Sequence, residues 1–332
     1  MIINEMSLLF KKKFYNKQYY ILFGNKTQNK PKKLYIYKLL NYILTIVFLV
    51  FLIFFNFYIL LNSFEKRKRE IIVSLTSYPG RIKYVHESIQ TILDQTLKPN
   101  KIILWLAKSD FPETYKNLPS KLLILKKKGL TINFYNKNLK QYLKLIPTLK
   151  KYPNDIIITV DDDILYGKDM VYKLYRNYLK YPKDIQANRI TKFEYKNDKF
   201  ITIVGGALYY KDSSFLNKIT GVGGVLYPPN CFYKDILNEN LFMNLSPTND
   251  DIWFWFQSIL NGIRVRVIEN PDFKLHYVSG TQTIGLYTIN DRGAKLFWKD
   301  FYRVISHYPQ LKTILIKEYN RITDKNKTFL ND

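Results

Sequence analysis

Read for its apolar and polar positions, the chain changes character near residue 70. Residues 1–38 are polar, basic and aromatic without a helical period, and they read as a basic N-terminal tail. Residues 39–64 contain no charge, and the centre of that run, 43–55, is apolar except for Thr45. About 20 apolar residues suffice to cross a bilayer, so the pattern predicts one transmembrane helix over 39–64, followed by a basic linker over 65–69. A buried core helix is the alternative. A cleaved signal peptide fits poorly, because the run is too long and begins too late. Five Lys/Arg precede the run within 20 residues of Tyr42 and five follow within 20 residues of Leu61, so the positive-inside rule ties. The expected location is a single-pass membrane protein, its catalytic side open with the cytoplasmic face preferred.

Beyond residue 70 short apolar runs alternate with helical periods. Strands are expected at 71–76, 101–106, 130–134 and 156–160, the last mostly β-branched and too short for a helix. Between them, 77–81 reads as a Pro-Gly turn. Residues 83–95 read as a helix with Val85, Ile89, Ile92 and Leu93 on one face, and 109–125 as loop plus helix. Residues 139–149 should be helical at least as far as Pro147. Such alternation implies βαβ units and a parallel sheet. The second half differs. It predicts a helix over 170–179, two or three strands within 185–210, a Gly-rich loop over 221–229 and an apolar helix over 252–260. A short strand over 264–268 and a helix over 290–305 follow, and no internal repeat is visible. The fold class is α/β, with one domain over 70–310 and a basic C-terminal tail over 311–332.

Composition adds two constraints. Cys231 is the single cysteine, so no intrachain disulfide or cysteine-built zinc site can form. The net charge of +25 would attract polyanions, whether nucleic acid, anionic lipid or phosphorylated substrates. No zinc finger, RNA-recognition signature or helix-turn-helix accompanies it, so most lysines beyond residue 70 read as a solvated face and no specific nucleic acid is expected.

Candidate chemistry begins where the fourth strand ends. Asp161, Asp162 and Asp163 follow at once, and open α/β sheets bind ligands beyond the carboxyl ends of their strands. Adjacent carboxylates repel, and a hard divalent cation would offset that cost; a solvated acidic turn is the plain alternative. In the Gly-rich loop, Gly221, Gly223 and Gly224 allow backbone to approach a ligand closely, although the spacing is not that of a dinucleotide fingerprint. Asn249, Asp250 and Asp251 precede the apolar helix, where Asn or Asp would cap its first turn. Arg81 and Lys144 could pair with a diphosphate or lie on a solvated face. His276 could be a metal ligand or a structural residue, and His86 and His307 receive no role.

Taken in order, these pieces resemble sugar-nucleotide-dependent glycosyltransferases of the GT-A type, in particular bacterial and viral relatives of the inverting family two. The resemblance covers roughly residues 70–290. It rests on residues 72–81, the helix end at 92–96, Asp161–Asp163 as a DxD motif, glycines 221–224 and the acidic pair Asp250–Asp251. The resemblance implies a GT-A, Rossmann-like nucleotide-diphospho-sugar transferase domain. It implies transfer of a sugar from a nucleotide-diphosphate donor, expected to be a UDP-sugar, to a glycan or lipid-linked acceptor hydroxyl, with inversion. It also implies Mn2+ or Mg2+ held by Asp163, with Asp161 near the ribose or metal and His276 as a further ligand. Thr76, Ser77, Tyr78, Arg81, Lys144, Asp162, Gly223 and Gly224 would line the donor. One of Asp250 and Asp251 would be the catalytic base. The usual base motif is Glu-Asp, so which aspartate takes that place is open. A non-catalytic carbohydrate-binding relative and a basic nucleic-acid-binding protein are the competing readings.

Overall fold

The structure is a computed structural model that describes residues 39–52, 69–203, 212–271, 274–282 and 294–328. They fall into two units, Met1–Arg67 and Lys68–Asp332. In the first, residues 39–52 form a helix whose apolar side chains, among them Leu44, Phe48 and Phe51, are exposed. The rest of the span expected over 39–64 lies outside the described residues, as do the tail over 1–38 and most of the linker. Among the described residues no helix is long and apolar enough to cross a membrane.

The second unit is built on a seven-stranded sheet. Its strands are β1 (Ile71–Thr76), β2 (Lys101–Ala107), β3 (Leu130–Tyr135), β4 (Ile156–Thr159), β5 (Ile185–Ala187), β9 (Val225–Tyr227) and β10 (Val265–Val267). Their order is β10-β5-β9-β4-β1-β2-β3, with every pairing parallel except the two made by β9. A smaller antiparallel sheet joins β6 (Ile190–Lys196), β7 (Lys199–Ile203) and β8 (Asn217–Ile219) in the order β7-β6-β8. The α/β sheet expected from sequence is present and mainly parallel, with β9 making it mixed.

The continuous apolar runs have a simple cause. Ile72, Ile103 and Ile157 pack into one core while Ile71, Val73, Leu75, Ile156 and Ile158 pack into another, so the central strands are covered on both faces. On one side lie α1 (Val85–Leu93), α2 (Ser120–Leu125) and α4 (Met170–Lys180); the other carries α3 (Ile146–Lys151), α5 (Glu239–Leu245), α6 (Asp250–Leu260), α7 (Ala294–His307) and α8 (Gln310–Thr328). Trp253, Phe254, Trp255 and Phe256 of α6 are fully buried, which is why that helix is apolar all round.

Three expectations need correction. The helix over 139–149 is instead a 3-10 turn, Lys140–Lys144, followed by α3, and Pro147 lies in the first turn of α3 rather than at a helix end. A first-turn proline gives up no intrahelical hydrogen bond. The two or three strands expected within 185–210 are present as β5, β6 and β7, divided between the two sheets, with 204–211 outside the described residues. The Gly-rich loop over 221–229 contains β9, a strand of the main sheet. The domain does not stop at 310, because α8 buries Leu311 and Leu315 and its Glu318 pairs with Arg264 and Arg321.

Strand β9 positions the site. It runs against its neighbours, with Val225 opposite both Thr159 of β4 and Ala187 of β5. The chain entering β9, Gly221–Gly224, therefore stands at the same sheet edge as the residues leaving β4. Gly224 makes the turn at φ +87°, a conformation that favours glycine, with Met170 Sδ close behind it.

Candidate active site

The edge where β1 and β4 end gathers a network of carboxylates and cations. Asp162 is buried; Ser77 donates its hydroxyl to Oδ2 at 2.6 Å, and Arg81 donates Nη1 to Oδ1 at 2.9 Å. The same Nη1 lies 3.0 Å from Asp163 Oδ2, which also accepts from Gln282 Nε2 at 3.3 Å. Ser77 and Arg81 thus reach the triplet from the turn after β1, which the parallel β1–β4 pairing brings alongside it. Burial raises the Asp162 carboxyl against the pull of Arg81 and Ser77. It pushes Asp163 up to about 6, helped by the neighbouring Asp161 and opposed by Arg81. Arg81 Nε is buried without a hydrogen bond.

Asp161 belongs to a second cluster. Lys144 Nζ lies 3.1 Å from Asp161 Oδ1 and 3.1 Å from Asp250 Oδ2, bridging the triplet to the start of α6. Burial pulls the ammonium toward neutrality, but Asp161, Asp250 and Asp251 outweigh it and hold Lys144 well above its ordinary value. Asp250 Oδ2 is close to that ammonium without being aligned for a hydrogen bond, and burial pushes its carboxyl up to about 6. Asp251 Oδ2 accepts from the Gly221 N–H at 3.0 Å and lies 3.9 Å from Lys218 Nζ, while its Oδ1 has no hydrogen-bond partner. A Cβ on Gly221 would sit 2.9 Å from Lys144 Nζ and 3.0 Å from Asp251 Oδ1, so any side chain there would have to displace the ends of both. Neither aspartate caps α6: Asn249 does, accepting from the Ile252 N–H at 3.0 Å. Of the three residues expected to supply an Asn or Asp cap, the cap is therefore Asn249.

The structure brings Ser77, Arg81, Lys144, Asp161, Asp162, Asp163, Asp250 and Asp251 into one network. Other expected residues stand apart from it. Thr76 spends its hydroxyl on the Trp105 carbonyl. Tyr78 is exposed, with the Arg81 guanidinium 5.9 Å from its ring. Gly223 accepts from Asn188 Nδ2 through its carbonyl and, like Gly224, serves the turn into β9. His276 lies on a segment that pairs with the triplet's continuation: its carbonyl accepts from the Leu165 N–H, and Val278 N–H donates to the Asp163 carbonyl. Its imidazole is exposed and makes no hydrogen bond among the described residues. Sequence reasoning missed Ser88, whose hydroxyl meets the Asp161 and Ile164 carbonyls, and Tyr166, whose hydroxyl accepts from the Asp161 N–H. Buried Lys218 was missed too, and nothing in its local sequence marks it.

Among the described residues no three or more His, Cys, Asp and Glu are grouped to hold a metal ion. A protein-only cage is not required, since Mg2+ is commonly bound through one or two carboxylates plus substrate phosphates. Asp161 and Asp163 each have one oxygen engaged by a protein cation, and burial, with Asp161 beside it, raises the Asp163 carboxyl despite Arg81. The donor set therefore fits a divalent cation shared with a phosphorylated ligand.

No family model matches the chain, and no curated protein matches it. Among solved structures it is similar to residues 1–349 of TarS from S. aureus, at 15% identity and TM-score 0.42, over 71% of this chain and 72% of that one. It is similar to the mannosyltransferase PcManGT from Pyrobaculum calidifontis in complex with GDP-Man and Mn2+, at 14% identity and TM-score 0.48, over 73% of this chain and 65% of that one. A third likeness, at 13% identity and TM-score 0.40, is to 4-diphosphocytidyl-2C-methyl-D-erythritol synthase from Anaerococcus prevotii, over 70% of this chain and 96% of that one. Likeness at this level carries no argument about chemistry, which rests on this chain's own residues.

Proposed function

We propose that the protein is a GT-A type glycosyltransferase that moves a sugar from a nucleotide-diphosphate donor, a UDP-sugar first among candidates, to a glycan or lipid-linked hydroxyl with inversion. The observation that carries this reading is the convergence at one sheet edge of the Ser77–Arg81 turn, the Asp161–Asp163 triplet, Gly221 and the Asp250–Asp251 pair. The exposed ring of Tyr78 suits stacking against the donor's base. Asp161 and Asp163 would hold Mn2+ or Mg2+, which supplies countercharge for the departing diphosphate. Arg81, already between Asp162 and Asp163, adds a fixed positive charge on the same side.

The base is assigned to Asp251. Asp250 is committed to Lys144, whereas Asp251 is held by the Gly221 N–H through one oxygen and has the other unpartnered. The acceptor hydroxyl passes its proton to that carboxylate as its oxygen bonds to the anomeric carbon and the bond from that carbon to the diphosphate oxygen breaks. Asp250 and Lys144 keep the pair's charge and orientation fixed. The exposed apolar helix over 39–52 supports membrane attachment, since contiguous apolar surface is costly in water.

Purified protein screened against UDP-, GDP- and CDP-sugars should release nucleoside diphosphate from one class, dependent on Mn2+ or Mg2+. Product analysis should show inversion at the anomeric carbon. Retention, or undiminished turnover in chelator, would overturn the corresponding part.

A further inference from the structure

Helix α7 has a buried side that serves the acidic site and an outer side that serves nothing yet described. On the buried side, Asp300 Oδ2 accepts from the Thr248 N–H at 3.0 Å and from its hydroxyl at 2.6 Å, which fixes the segment leading into Asp250. On the outer side is a shallow groove of about 680 Å³ lined by Leu245, Trp298, Lys299, Tyr302, Arg303 and His307 among others. No acidic side chain lines it among the described residues.

The lining residues form two stripes at helical spacing. Trp298 and Tyr302 make one, their rings stacked at 5.9 Å and 28°. Lys299, Arg303 and His307 make the other, one residue further round the helix and about 12 Å from end to end at the α-helical rise. The aromatic stripe is rigid, because Trp298 is backed by Phe193, Phe297 and Phe301 at centroid distances of 5.9, 5.1 and 5.2 Å. Arg303 is only loosely engaged, at 3.5 Å from Asp300 Oδ1.

We propose that this groove binds an anionic saccharide, one bearing carboxylate, sulfate or phosphate groups, as a remote subsite for the acceptor. The acceptor role rests on the transferase reading above; the binding itself does not. A compact apolar ligand would need an enclosed pocket, and this groove is open. A flat aromatic stripe packs against the C–H faces of sugar rings, and the parallel cationic stripe pairs with their anionic substituents. Its length accommodates a short oligosaccharide, and its helix is joined through Asp300 and Thr248 to the acidic pair.

The test uses the full chain in detergent micelles. Of the four tryptophans, Trp105, Trp253 and Trp255 are buried and Trp298 is not, so ligand-induced change in tryptophan quenching by acrylamide reads α7. An oligogalacturonate should protect Trp298 saturably and in a salt-sensitive way, and a malto-oligosaccharide of equal length should not. Lys299→Glu and, separately, Tyr302→Ala should each weaken that binding by about tenfold, the scale of one charge-assisted contact. No protection, equal protection by the neutral sugar, or protection only by a single-stranded oligonucleotide or phosphatidylglycerol vesicles overturns the proposal. The titration contains no nucleotide sugar, so its failure leaves the donor site standing, and a failed transfer assay leaves the groove standing.

Discussion

Arg81 and Lys144 each bridge two carboxylates, but they leave those carboxylates in different circumstances. Arg81 joins Asp162 and Asp163, which also accept from the neutral donors Ser77 and Gln282. Lys144 joins Asp161 to Asp250 across two segments, and Asp250 Oδ2 has no hydrogen bond of its own. The first cation trims charge within a loop that has other support. The second holds the triplet and the acidic pair together, and its loss strands a buried carboxylate. One kind of ion pair therefore tunes a ligand site while the other builds it.

The largest expected effect lies on the acidic side. Asp251→Asn should lower kcat by about 10²–10⁴-fold, the range for a lost general base, with donor binding retained. Steady-state kinetics beside a nucleotide-sugar melting shift would read this. Normal turnover in Asp251→Asn with a dead Asp250→Asn would exchange their roles.

Next comes the bridge itself. Lys144→Met should destabilise the fold by about 3–5 kcal/mol, the cost of breaking one side of a buried pair. The double variant with Asp250→Asn should recover part of it. Chemical denaturation measures both; if Lys144→Met costs no more than an Arg81→Met control, the contrast between the two cations fails.

A smaller effect concerns Asp163, whose folded carboxyl at about 6 exceeds the unfolded value of about 3.9. The folded protein therefore binds the extra proton between these values. Stability should fall as pH rises through that window, with the full cost present above about pH 6. Mn2+ with UDP should raise the melting temperature most above pH 6 and progressively less below it. Asp163→Asn should remove the metal-dependent part. A shift independent of pH, or one that survives in Asp163→Asn, would remove Asp163 from the metal.

The smallest effect separates capping from chemistry. Asn249→Ala should cost about 1 kcal/mol in stability, the usual value of an N-cap, and leave kcat within a small factor. A collapse of activity without loss of stability would show that Asn249 acts in the site rather than on the helix.

Much of the first half was legible because its central strands, β1, β2 and β4, bury both faces. Continuous runs such as 71–76 and 156–160 therefore announce themselves without alternation. The triplet was legible for a related reason, since charge placed directly after a buried strand must stand at the sheet edge. The helix over 310–328 was also readable in principle, with Leu311 and Leu315 one turn apart, but the surrounding lysines made it look like a tail. Residues 225–227 were not readable as a strand, being three residues between glycines and a Pro-Pro pair.

By itself the sequence determined the parallel βαβ half, the position of Asp161–Asp163 at a strand's end and an apolar helix directly after Asn249–Asp251. Local pattern suffices there, because burial and chain direction dictate it. Only the tertiary structure decided that β9 runs backwards to place Gly221 beside Asp251, and that Asn249 rather than an aspartate caps α6. It alone decided that Lys144 faces Asp161 and Asp250. Those facts depend on which segments meet across the sheet edge, and an ammonium on a helical turn has no sequence mark for the carboxylates it will reach.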